Sequence, residues 1–326
     1  MAIVERPEPE KEITLGISAC LTGQKVRYNG EHKRSEFVAN HLTNFFHLKP
    51  VCPEVEIGMG IPREPIRLIG TAADDYRVRG SDNPENDFTD QMMEFGRTTA
   101  LSLKQDISGY ILMQKSPSCG MERVKIYHEN GHPLGASGAG IFAKTLMESC
   151  PLLPIEEEGR LHDPVLRDNF FVRVFAFHRW QQEMRDNPTY SGLVAFHSIY
   201  KYMLMAHSPK NYQKLGQIVS IGRKKPVEDL ADEYIQLFMA TLTLKATRKS
   251  HTNVLLHLLG YIKKTLSDES RQAMLKVIED YRTGMIPLVV PITMLRHFLD
   301  SHGSDYVKSQ IYLQPHIEAL GLRNAL

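Results

Sequence analysis

Residues 13–20 read ITLGISAC, an apolar run of strand length that ends in a small polar residue and a thiol. The same pattern recurs in LKPVC at 48–52 and in YILMQKSPSC at 110–119. Each time a predicted strand runs into a turn built from Ser, Pro or Gly, and a cysteine stands at or beyond the junction. Laid side by side in a parallel sheet, these strands would bring Cys20, Cys52 and Cys119 to one carboxyl edge. Open α/β sheets keep their chemistry at that edge. Three thiolates around one point suggest a metal ion or an iron–sulfur cluster with one position left free for a substrate.

Around these stretches, the first half alternates strand-like and helix-like segments. Helical spacing covers residues 35–46 and 87–105, with Asp87 as a cap, and a closing helix spans 138–148. Residues 66–69 form another candidate strand. Strands alternating with helices argue for an α/β domain with a mostly parallel sheet over residues 1–152. A Pro- and acid-rich joint is expected at 153–165. From 166 to 326 long 3.6-residue patterns take over. Leu230, Tyr234, Leu237, Phe238, Thr241 and Leu244 share one helical face, and Val254, Leu255, Leu258, Leu259, Ile262 and Leu266 share another. Further helices are expected over 169–186, 193–206, 270–282 and 293–299. This half reads as an all-α domain.

The 326 residues are 42% hydrophobic and 24% charged, as in ordinary globular proteins. No apolar stretch is long enough for a bilayer, so no membrane contact is expected. Residues 1–12 read as a loose leader without a signal core. The expected compartment is the cytoplasm, where thiols stay reduced and a cysteine means packing, metal or catalysis. The net charge of +1 hides an asymmetry. Residues 1–160 hold 18 basic and 23 acidic side chains, and residues 161–326 hold 21 and 15. The second half is therefore the part expected to meet a polyanion.

The three cysteines are far apart in sequence, so no compact metal motif is present, and buried packing is an open alternative. Their surroundings favour chemistry. Glu54 stands two residues from Cys52, and KSPSCG at 115–120 surrounds Cys119 with hydroxyls and a glycine. Backbone amides in such turns can stabilise anionic sulfur. Zinc with three thiolates and water is a second possibility, although no histidine accompanies the cysteines. Cys150 could complete a four-thiol set, but it lies outside these blocks and reads as a structural residue.

SACL at 18–21, VRYNG at 26–30, VCPE at 51–54 with GMGIPR at 58–63, and KSPSCG at 115–120 together resemble the thiouracil desulfidase family. The helical half resembles the partner domain fused to it in bacterial tRNA 4-thiouridine desulfidases, with EEEGRL at 156–161 and RDNF at 167–170 at its entry. The resemblance implies a 4Fe–4S cluster held by Cys20, Cys52 and Cys119, with one iron open. It implies a desulfidase converting 4-thiouridine in tRNA to uridine and sulfide, non-redox, with the substrate sulfur on the open iron. Glu54 is then the expected general base and Ser116 a proton-relay hydroxyl, with Ser118 a further candidate. The same chemistry on free thiouracil or a thiolated nucleoside is one alternative. A non-catalytic RNA-binding iron–sulfur sensor is another.

A tRNA partner would be met by Arg173, Arg179, Arg223, Lys224, Lys225, Arg248, Lys249, Lys263 and Lys264. Tyr200, Tyr202, Tyr212 and His207 could add stacking surfaces. Any one of these clusters could equally be a solvated helix face. No obligate protein partner is expected.

Overall fold

The computed structural model describes residues 13–103, 105–317 and 322–326; the expected leader, 1–12, lies outside them. The chain divides into two compact units between His162 and Asp163.

The first unit holds, in order, β1 (Thr14–Ser18), α1 (Glu36–Asn40), β2 (His47–Val51), α2 (Pro53–Glu56), β3 (Ile66–Gly70), β4 (Tyr76–Gly80), α3 (Thr89–Leu103), β5 (Gly109–Leu112), β6 (Val124–Tyr127), β7 (Pro133–Gly138), α4 (Ile141–Ser149) and β8 (Ile155–Glu157). One sheet, A, has the strand order β2-β1-β5-β8, and every pairing in it is parallel. Its centre is buried: Leu15, Ile17, Tyr110, Ile111 and Leu112 are inaccessible. Gly16 is where β1 must lack a side chain. It faces Tyr110 in the register, and a Cβ there would lie 2.3 Å from the tyrosine ring. Pro50 is tolerated because β2 is an edge strand. Phe142 of α4 packs on Tyr110 and on Phe95 of α3, which fixes both helices against sheet A.

The second sheet, B, has the order β4-β3-β6-β7 and mixes parallel and antiparallel pairs. Only β3 was expected from the sequence. Strands β4, β6 and β7 bury little apolar surface, with Val78, Val124 and Ile126 as their inward residues. The expected helix over 35–46 is shorter. It ends at Asn40 and gives way to a 3-10 turn over Leu42–Asn44. Thr43 and Asn44 hydrogen-bond back to the carbonyls of Ala39 and Asn40 there, and such side chains compete with the helix. The two units divide inside the expected joint, 153–165, whose first part also contributes β8, which pairs with β5 at the edge of sheet A.

The second unit contains α5 (Pro164–Glu183), α6 (Tyr190–Ile199), α7 (Lys201–His207), α8 (Pro209–Ile221), α9 (Val227–Thr243), α10 (Arg248–Ile262), α11 (Asp268–Thr283), α12 (Val289–His302) and α13 (Asp305–Lys308), with no strand among its described residues. Side-chain caps start several of these helices, among them Asp163, Thr189, Ser208 and Ser267. An aromatic core of Trp180, Phe196, Tyr200, Tyr234 and Phe238 joins α5, α6 and α9. An aliphatic core of Val254, Leu255, Leu258 and Leu259 packs with Ile278, Ile292 and Leu295 from α11 and α12. Leu244 falls beyond α9 and is exposed, so the predicted apolar face stops one turn early. Among the described residues no helix is long and apolar enough to cross a membrane.

Candidate active site at the carboxyl edge of sheet A

Strands β2, β1 and β5 are neighbours and run the same way, so their carboxyl ends open on one side. Cys20 lies in the 3-10 turn Ala19–Thr22 just after β1, and Cys52 is the N-cap of α2 just after β2. Cys119 sits in the loop that leaves β5. All three line one cavity of about 410 Å³, together with Ser18, Glu54, Arg63, Ser116 and Ser118. Topology therefore does what the strand-to-turn pattern predicted.

The loop carrying Cys119 is held from both sides. The amide of Cys119 donates to Ser116 Oγ at 3.1 Å. At the start of α4 the amides of Gly140, Ile141 and Ala143 donate to the carbonyls of Gly120, Pro117 and Ser118. These helix-terminal donors thus satisfy the loop instead of water. Gly140 permits the approach, since a Cβ there would lie 2.5 Å from the carbonyl of Ser118. Lys115, at the mouth, has φ +58°, a left-handed conformation unusual for a side chain other than glycine.

Glu54 is fully engaged. Arg63 donates to its Oε2 from Nε at 2.9 Å and from Nη2 at 2.5 Å. Ser118 Oγ donates to its Oε1 at 2.6 Å. Ser118 and Ser116 hydroxyls lie 2.9 Å apart. A serine has one proton to give, so with Ser118 donating to Glu54, Ser116 is the donor in that contact. The result is a directed chain, Ser116 to Ser118 to Glu54. Arg63 also donates to the carbonyls of Val26 and Gly60, which ties VRYNG and GMGIPR to the carboxylate.

Burial, then the neighbouring Cys52, raises the Cys20 thiol to about 11. Burial raises Cys52 and Cys119 as well. Tyr110 adds a hydroxyl that is wholly buried and has no hydrogen-bond partner among the described residues. Its ionisation is opposed by burial and then by Cys119, Cys52 and Cys20, so it lies within electrostatic reach of all three. Three soft sulfur donors that resist ionisation without a cation, beside one orphaned donor, fit an iron–sulfur cluster. Among the described residues no three His, Cys, Asp or Glu side chains are grouped as ligands of a single ion. A cluster would bind each thiolate to a different iron.

Arg63, Ser18 and Tyr110 were not among the residues expected at the site. Ser18 accepts from the amide of Met113 and hydrogen-bonds Cys119, bridging β1 to the loop after β5. Its place in SACL was the available signal. Cys150 caps the end of α4, is buried and does not line the cavity.

In the second unit the predicted cations differ in their commitments. Arg179 pairs with Glu183, Lys225 with Glu233, and Arg173 donates to Asn169. Arg248 donates to the carbonyl of Tyr281 and lies over its ring. Arg223, Lys224, Lys249, Lys263 and Lys264 are exposed. Tyr200 and Tyr202 are buried, which corrects their expected role as stacking surfaces. Tyr212 stacks on His197. His207 hydrogen-bonds the carbonyl of Leu244.

An α/β domain with a thiol-lined cavity at its strand ends, followed by a helical domain, is the class that fold and site define. The model of a family described as 2-thiouracil desulfurase matches residues 15–158, and one described as a protein of unknown function (DUF1722) matches residues 201–316. The chain is 30% identical over 159 residues to the uncharacterized protein YbgA of Escherichia coli (strain K12), covering 48% of this chain and 94% of that one. It is 32% identical over 138 residues to the uncharacterized protein YbbK of Bacillus subtilis (strain 168), covering 41% and 89%. A solved structure titled [4Fe-4S]-dependent thiouracil desulfidase TudS is 29% identical, with TM-score 0.36, over 48% of this chain and 97% of that one. Residues 15–158 thus match a 2-thiouracil desulfurase domain and residues 201–316 a DUF1722 domain that follows it.

Proposed function

We propose that this protein removes sulfur from 4-thiouridine in tRNA, giving uridine and sulfide, with a 4Fe–4S cluster held by Cys20, Cys52 and Cys119. The observation that carries the reading is the convergence of those thiols with Glu54, Ser116 and Ser118 on one cavity. Water replaces the thiocarbonyl sulfur, which leaves as hydrogen sulfide, so atoms balance and no electrons are exchanged. A cluster closed by three thiolates supplies one open iron, a Lewis-acid position for a soft sulfur.

The chain's own groups handle protons and position. Glu54 is fixed by Arg63 at one oxygen and by Ser118 at the other, so its place at the cavity wall is set before substrate arrives. A proton taken up at Ser116 can pass through Ser118 to Glu54, and the same chain can return one to the departing sulfur. Arg27, Lys33 and Lys115 around the mouth favour an anionic substrate over a neutral one. The surplus of basic residues after 160 supports tRNA as that substrate.

The test is anaerobic turnover of thiolated bulk tRNA by cluster-reconstituted protein. Loss of thiouridine absorbance should match sulfide release and vanish in Cys119→Ala. Retained tRNA binding with four irons bound and no turnover would favour the sensor reading instead.

A further inference from the structure

A second cavity, of about 530 Å³, lies on sheet B beside the first. The two share Ile66, Lys115 and Pro117 as a common wall. Arg67, Lys115, Arg123 and Lys125 supply the charge along this groove, and neither Asp nor Glu lines it. Residues 1–160 are acidic on balance, so a groove of cations alone is no by-product of composition.

Strand register explains how these groups meet. Leu68 of β3 pairs with Ile126 of β6, and both are buried. One residue back in the same register, Arg67 and Lys125 stand side by side on the opposite face. Arg67 lies 5.7 Å over the Tyr127 ring and is paired across β3–β4 with Arg79. Like charges on neighbouring strands repel. Elsewhere the sheet neutralises them: Arg77 pairs with Asp87 and Asp90, and Arg79 with Asp87 and Glu129. Within the groove Arg123 is likewise paired, with Glu122 and Glu157, so its charge is already met. Among the described residues no carboxylate pairs with Arg67, Lys115 or Lys125. Arg67 Nε is also buried without a hydrogen-bond partner. Uncompensated cations and an unmet donor around one groove call for an anion with several acceptor oxygens.

We propose that this groove binds the phosphate of the nucleotide whose base enters the thiol cavity. The base's identity rests on the desulfidase reading; the anion does not. A free base has nothing to place there. A mononucleotide offers one phosphate, and tRNA offers the diesters on either side of the reacting residue. Lys115 belongs to both cavity walls, so it stands where base and phosphate would join. The first unit would then hold RNA by itself at the point of reaction, apart from any grip by the helical unit.

The test uses the full chain with Arg67→Ala, Lys125→Ala and the double variant. With cluster loaded, turnover is compared on 4-thiouracil, 4-thiouridine monophosphate and thiolated tRNA. The expected result is a fall in kcat/KM of about tenfold per cation on the phosphorylated substrates, carried by KM, with 4-thiouracil unchanged. A fall on the mononucleotide assigns the groove to the nucleotide's own phosphate; a fall on tRNA alone assigns it to flanking diesters. Equal losses on all three substrates, or none, would overturn the proposal. Arg67→Lys should recover most of the loss, separating charge from packing. In parallel, cluster-free protein is titrated with labelled unmodified tRNA at several salt concentrations. Each lost cation should reduce the slope of log K against log salt by about one, and an unchanged slope would overturn the proposal. Should the wild-type chain be inert on every thiolated substrate, the desulfidase reading falls while the binding titration still decides the groove.

Discussion

The two units place their polar chemistry in opposite ways. The first gathers it where strands end: thiols, Glu54 and serines stand on turns that a buried parallel sheet positions but does not enclose. The second encloses it. His251, Asp168 and His316 lie in its interior, and His251 is hydrogen-bonded to the buried Tyr312. A group on a turn can be replaced without emptying the core, whereas a group inside helices cannot. Substitutions at the sheet edge should therefore break chemistry and spare folding, and substitutions in the helical interior should do the reverse.

Glu54→Gln is the strongest probe of the first half of that contrast. It keeps the shape and can still accept from Ser118, but it cannot take a proton as a base. Turnover should fall by about 10²–10⁴ with iron content and melting temperature held, values typical of general-base loss. A large drop in melting temperature would mean that Glu54 is chiefly the structural partner of Arg63. Leu258→Ala probes the other half. Leu258 is wholly buried in the aliphatic core, and its truncation should cost roughly 2–5 kcal/mol. Below the transition, turnover of a free thiolated base should be unaffected.

Acid should separate the units without any mutation. Burial lowers His197 to about 4 and His251 to about 3, and both belong to the second unit. The unfolded chain takes up these protons near 6.5, before the folded chain does. Stability is therefore complete above that pH and is lost as pH falls toward 4. For His251 alone the loss by pH 4 is on the order of 3 kcal/mol. Trp180 is the chain's one tryptophan and lies in the aromatic core of this unit, so its fluorescence reports that unit directly. A denaturation midpoint that does not move between pH 7 and pH 4 would contradict the buried neutral imidazoles.

Sheet A was legible because its central strands are continuous apolar runs and its chemistry sits at their ends, so Cys20, Cys52 and Cys119 could be placed by strand grammar alone. Sheet B was not. A strand such as Val124–Tyr127 has only two inward residues, and alternation that short is indistinguishable from a loop. Its cations were invisible for the same reason, since Arg67 and Lys125 become neighbours only through a register that pairs residues 58 apart. The stretch 153–165 was legible only in part: the two units divide within it, while partnership with β5 makes residues 155–157 a strand. In the helical half periodicity found most helices, but it could not tell a buried tyrosine from an exposed one. Tyr200, at the junction of α6 and α7, and Tyr202, in the first turn of α7, are both buried.

The smallest effect separates two serines that the sequence could not rank by geometry. Ser118 donates directly to Glu54, whereas Ser116 reaches the carboxylate only through Ser118 and also accepts the amides of Ser118 and Cys119. Ser118→Ala removes a hydrogen bond to a charged group, worth about 1.5–3 kcal/mol, so turnover should fall roughly tenfold or more. Ser116→Ala leaves that bond in place and removes the acceptor for the Cys119 loop, so its first symptom should be faster loss of iron in air. Turnover per bound iron should then change less than in Ser118→Ala. The two readouts divide relay from support: if Ser116→Ala lowers turnover per iron more than Ser118→Ala does, the proton enters at Ser116 by a route that does not need Glu54.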